Sequence, residues 1–137
     1  MERFKFLEHT ADAKMQAFGK NLEEAFANAA LGMFSLMFEP EKVKGKTDKA
    51  ISVEGNDKKA MLYNWLEELL FLMDSENFVL HEVKSIKIKG KWVDATVSGD
   101  VISEKYSSHG EVKAVTYNEM DIKEEPGKAV VQVVFDL

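Results

Sequence analysis

The stretch KKAMLYNWLEELLFLMD, residues 58–74, decides the fold. Leu62, Trp65, Leu66, Leu69, Leu70 and Met73 stand at i, i+3, i+4, i+7, i+8 and i+11, one broad apolar stripe on an α-helix. Glu67 and Glu68 fall away from the stripe and read as a solvated face. Gly55-Asn56-Asp57 stands just before it, breaking the preceding run and offering a side chain to cap the first free amides. Fully burying one leucine of this kind contributes about 1.5–3 kcal/mol. Helix 58–74 is therefore expected at the centre of the core.

Outward from that helix the chain reads mostly as strands. Upstream, Ile51 and Val53 alternate within 50–54, after a charged connector at 41–49. Before the connector, Leu22, Phe26, Ala29, Met33, Leu36 and Met37 recur at helical spacing. Asn21 is placed to cap that helix and Glu24 to reach back in a capping box, and Pro40 marks its limit. Residues 3–7 and 13–18 carry strand alternation, joined by Glu8-His9-Thr10-Ala11-Asp12. Downstream, Phe78 and Leu80, then Ile86 and Ile88, alternate up to a two-residue turn at Gly90-Lys91. Val93, Ala95 and Val97 follow, then a polar segment at 103–111. Strands are expected at 112–117, with Met120 and Ile122 extending or following, and at 128–137 beyond the turn Glu124-Glu125-Pro126-Gly127. The last run is apolar at both parities, as in an interior strand. The pattern predicts a single α+β domain over residues 1–137, with two helices on one face of a mixed, largely antiparallel sheet.

Composition narrows the function classes. The chain has 137 residues, 45% of them hydrophobic and 31% charged, as in a soluble globular protein. It has no cysteine, which excludes disulfides, thiolate metal sites and cysteine nucleophiles, and which suits a cytoplasmic protein. No apolar run reaches the roughly 20 residues of a membrane helix, and residues 1–5 lack the character of a signal peptide. The formal net charge of −6 argues against tight direct binding of nucleic acid, which needs clustered Lys and Arg. A cation or a basic partner protein fits better.

The chemistry-bearing candidates are few. There is no G-x-S-x-G elbow, no Gly-rich phosphate loop and no H-x-x-x-H pair. His109 sits in the polar segment and reads as solvated; Asp94 and Asp100 read as surface charges at strand ends. Asp136 differs, because it stands in the last strand beside Leu137, whose carboxylate would lie within a few ångströms. A cation or a lysine would relieve that repulsion, and solvated carboxylates are the plain alternative. If Asp12 joined them, three hard oxygen donors would suit Ca²⁺ or Mg²⁺ completed by water.

Taken together, these residues resemble the archease family. The matching features are His9-Thr10-Ala11-Asp12, the helix segment WLEELLF at 65–71, the strand VKAVTY at 112–117 and an acidic penultimate residue, in family order along the whole chain. Asn118 departs from the pattern, since many members carry His there. The resemblance implies a protein cofactor, not an enzyme: an activator of the RtcB-type RNA ligase of tRNA splicing. Such a protein promotes guanylylation of the ligase's active-site histidine, supports multiple turnover and broadens nucleotide use. It also implies a divalent-cation site, typically calcium, at Asp12, Asp136 and Leu137, with Lys113 and His9 as ligase-activation residues. A role suggested for the same family, and the main rival, is a chaperone-like modulator of RNA- or DNA-processing proteins such as tRNA methyltransferases. A metal-dependent hydrolase is a third reading, with no visible nucleophile–base pair to carry it.

Overall fold

The computed structural model describes residues 2–8 and 11–137. In chain order the elements are β1 (Phe4–Leu7), β2 (Asp12–Gly19), α1 (Leu22–Ser35), a 3-10 turn (Pro40–Lys42), β3 (Thr47–Glu54), α2 (Lys58–Glu76), β4 (Phe78–Lys89), β5 (Trp92–Val101), β6 (Ala114–Glu125) and β7 (Lys128–Asp136).

Both helices start where the sequence offers caps. The Asn21 side chain accepts the Glu24 N–H at 2.9 Å, and the Glu24 carboxylate accepts the Lys20 N–H at 3.1 Å. The reciprocal cap is thus present, with its second bond one residue earlier than in the usual box. Asp57 accepts the Ala60 N–H at 2.8 Å and opens α2, which closes at Asn77 in the left-handed region (φ 56°). The α2 stripe is the core: Leu62, Trp65, Leu66 and Leu69 are fully buried. Trp65 Nε1 donates to the Phe26 carbonyl at 2.9 Å, so the indole ties α2 to α1 without leaving a buried donor unpaired.

The two helices and antiparallel strands agree with the α+β reading, and the strands divide into two sheets. The first has the order β1-β2-β7-β6 and the second β3-β5-β4, with every pairing antiparallel. The helices are what both sheets share: α1 packs on β1, β2, β7 and β4, and α2 on β6, β3, β4 and β5. A single sheet would need an edge strand of one, β1 or β6, beside an edge strand of the other, β3 or β4. Instead the polar segment 102–113 carries the chain across. Gly90, at φ 59°, makes the β4–β5 hairpin as the Gly-Lys pair predicts.

The crossing segment is anchored along its length. Ile102 N–H donates to the Asn77 carbonyl at 2.7 Å. The Tyr106 hydroxyl donates to Asp100 at 2.5 Å and accepts the Lys44 N–H at 3.2 Å. His109 is not merely solvated. Its N–H donates to the Met37 carbonyl and its Nε2 bonds the Ser35 carbonyl, both at 2.9 Å, so it caps the end of α1 from outside. A Cβ on Gly110 would collide with the Leu36 carbonyl, which is why the loop can lie so close there.

Candidate functional site

The register of β2 against β7 sets Asp12 directly opposite Asp136. Ala13, Met15 and Ala17 of β2 face the core, as do Val131, Val133 and Phe135 of β7. Strand alternation therefore puts Asp12 and Asp136 on the outer face of the first sheet. Directly opposed residues of an antiparallel pair hold their Cβ atoms about 4.5–5.5 Å apart, and like charges there are destabilising. Asp12 is half-buried and Asp136 exposed.

The third strand reaches the same corner. Ala114 pairs with Asp136, and the Lys113 N–H donates to the Asp136 carbonyl at 2.8 Å. Lys113 is exposed, and Leu137 follows Asp136 with 41% of its surface open. The fold thus brings Asp12, Asp136 and Lys113 together from opposite ends of the sequence. His9 lies outside the described residues. Ala11, next to Asp12, holds φ 66°, a conformation that costs a non-glycine residue about 1–2 kcal/mol. Among the described residues no three His, Cys, Asp or Glu side chains gather closely enough to hold a metal ion. The side-chain donors at the corner are two carboxylates.

A polar network continues from the corner along the outer face. Lys14 Nζ lies 3.0 Å from Glu119 Oε1, spanning β7. Gln16 Nε2 donates to Gln132 Oε1 at 3.0 Å, and Gln132 Nε2 donates to the Glu119 carbonyl at 2.7 Å. Lys14, two residues along the face from Asp12, is therefore engaged by Glu119. Glu119 itself sits at φ 52° in a wide irregularity, where β6 runs from Thr116 to Asp121 while β7 runs only from Val134 to Gln132. Sequence reading missed this residue. The signal was present: Val115 and Met120 are both apolar and both buried, yet an odd number of positions apart, which unbroken alternation forbids.

On the flank toward α2, Tyr117 stacks on Tyr63 with ring centroids 4.4 Å apart and planes 5° from parallel. Partial burial, with Tyr63 and Asp57 nearby, pushes the Tyr117 phenol up. Glu67, read from the sequence as a solvated charge, accepts the Val115 N–H at 3.3 Å and so serves the open edge of β6.

Comparison with known proteins bears on this arrangement. Residues 4–137 match the model of the archease protein family. Protein archease of Thermococcus kodakarensis is 41% identical over 143 residues, and that of Methanothermobacter thermautotrophicus 38% over 141 residues; each match covers 100% of both chains. The solution structure of Methanobacterium thermoautotrophicum protein 1598 superposes with a TM-score of 0.85 at 37% identity, covering 100% of both chains. A Thermotoga maritima archease, described as a possible chaperone, shares the fold with a TM-score of 0.63 at 21% identity, over 97% of this chain and 96% of that one. No helix among the described residues is long and apolar enough to cross a membrane. A match over nearly the full length, with relatives of the same span and the same fold, shows that this chain belongs to the archease family.

Proposed function

We propose that this protein is a non-enzymatic activator of an RtcB-type RNA ligase, acting in the cytoplasm. It promotes guanylylation of the ligase's active-site histidine, multiple turnover and broadened nucleotide use. The observation that carries the reading is the cross-strand facing of Asp12 and Asp136, with the backbone of Lys113 bonded to Asp136. Two like charges held opposite each other on a strand pair cost stability unless a cation or partner neutralises them.

The donor set fits a hard divalent cation. Asp12 and Asp136 offer carboxylate oxygens, and Leu137, through a terminal carboxylate, is the proposed third donor, with water completing the 6–8 oxygens that Ca²⁺ takes. When bound, the ion supplies positive charge for phosphate or carboxylate oxygens of a partner. Lys113 adds a flexible ammonium at the same corner, suited to a phosphate or an acidic group of the ligase. Phosphoryl transfer depends largely on positioning and charge stabilisation, which a protein without its own nucleophile can contribute. His9, near Asp12 in sequence, belongs to the same proposed activation surface.

The test is multiple-turnover ligation by the cognate ligase with substoichiometric amounts of this protein. Strong stimulation and faster ligase guanylylation are expected, both lost in Asp12→Ala and Asp136→Ala. Unimpaired stimulation by these variants would sink the reading. A second reading, a chaperone-like modulator of RNA-processing proteins such as tRNA methyltransferases, draws on the open apolar surface of Phe71, Val101 and Tyr117, which are 60%, 55% and 53% exposed. It predicts suppression of client aggregation that survives Asp136→Ala.

A further inference from the structure

Away from the paired aspartates, the ends of α1 and α2 converge on a groove of about 630 Å³ beneath the segment 102–113. Met37 and Phe38, just past α1, are nearly buried in it; Met73 of α2 and Ile102 are more open. Asp74 and Glu111 stand in its lining, both exposed. Among the described residues that line it there is no lysine, arginine or histidine. Neither helix carries a basic residue in its last turn, so the negative ends of two helix dipoles lie toward this region, met by hydrogen bonds from the crossing segment. Met73, part-exposed beside Ile102, adapts to varied side chains. A negative surround rejects phosphate backbones and anionic lipid and attracts ammonium or guanidinium groups.

We propose that this groove docks an apolar segment bearing lysine or arginine from a partner protein. Met73 and Ile102 receive the apolar side chains, and Asp74 and Glu111 receive the cations. Its position extends the corner: Glu111 is two residues from Lys113, whose N–H is bonded to Asp136, so the groove opens within about 7 Å of that backbone. The groove would grip while the carboxylate corner acts. Identification of the partner as the ligase rests on the function proposed above; the chemistry of the segment does not.

Two probes separate the claims. The first is a labelled peptide of about twelve residues, with leucine and lysine at amphipathic helical spacing, followed by fluorescence anisotropy on the full chain. Binding is expected, weakened about tenfold or more by the double variant Asp74→Lys/Glu111→Lys and absent for the peptide with glutamate in place of lysine. The second is calorimetric titration of the ligase. The double variant should bind it about tenfold more weakly and regain stimulation at raised concentration. Both altered residues are exposed, and an unchanged melting temperature verifies the fold. Equal binding of the peptide by wild type and double variant overturns the groove. So does self-association of the wild type that the double variant abolishes, which would make a second copy the occupant. Retained peptide binding with no stimulation of the ligase overturns the proposed function and leaves the groove standing.

Discussion

The outer faces of the two sheets are built from the same pairing geometry and opposite electrostatics. On the second sheet Lys87 faces Asp94, Ser52 Oγ donates to Asp94 at 2.6 Å, and Lys84 reaches Asp48 at 3.0 Å. Those charges are met by neighbours of the same sheet. On the first sheet Asp12 faces Asp136, and Lys14 on the same face is turned to Glu119. Backbone strain sorts the same way: Ala11 and Glu119 hold positive φ on the first sheet, while the second has only the hairpin glycine and the helix-ending Asn77. The second sheet's outer face sets opposite charges against each other, whereas the first sets like charges opposite each other and holds non-glycine residues in the left-handed region.

The largest expected effect breaks the contrast outright. Asp136→Lys turns the corner into the Lys–Asp pair already present at Lys87 and Asp94. Without divalent cations the variant should gain about 0.5–1 kcal/mol in urea unfolding. With Ca²⁺ at a hundred times its dissociation constant, wild type should gain about 2.7 kcal/mol and the variant nothing. Stimulation of the ligase should be lost. An intermediate effect comes from Ala11→Gly, which relieves the left-handed backbone and should raise stability by about 0.5–1 kcal/mol; denaturant midpoints at constant slope check it. The converse change, Lys87→Glu, sets Glu against Asp94 and should cost up to about 1 kcal/mol while leaving stimulation intact, since that face has no part in it.

The smallest effect concerns Asp100 at the end of β5. The Tyr106 hydroxyl, with the Val101 N–H, holds its carboxyl below the usual range, and Asp100 in turn pushes the Tyr106 phenol up. The lowered carboxyl gives stability that is present above the ordinary carboxylate pKa and lost as pH falls through the lowered one. The raised phenol gives stability present below its ordinary pKa and lost as pH rises through the raised one. Tyr106→Phe should therefore weaken the fold slightly across neutral pH, with the difference closing in acid. NMR titration should show the Asp100 carboxyl moving up.

The local parts of this architecture were legible in the sequence. The α2 stripe, the Asn21 and Asp57 caps and the Gly90-Lys91 turn depend on neighbours within a few positions, where period and side-chain chemistry act directly. The division into two sheets was not, because it depends on which strands meet after the segment 102–113 has crossed. The facing of Asp12 and Asp136 was only conditional, since a slip of one residue in register would put one aspartate on the core face. The role of His109 was hidden because its partners, Ser35 and Met37, lie far back in the chain, before β3, α2, β4 and β5.

The pairing of β2 with β7 joins two strands separated along the chain by every other element except β1. During synthesis β2 leaves the ribosome before α1, α2 and the second sheet, and one of its edges stays open until β7 follows. Contacts of such high contact order close late in folding. Asp12 acquires its opposite number at that moment and not before. A chain that stops short of β7 lacks the paired aspartates. A partner that reads the corner therefore reads only chains in which β7 has paired with β2.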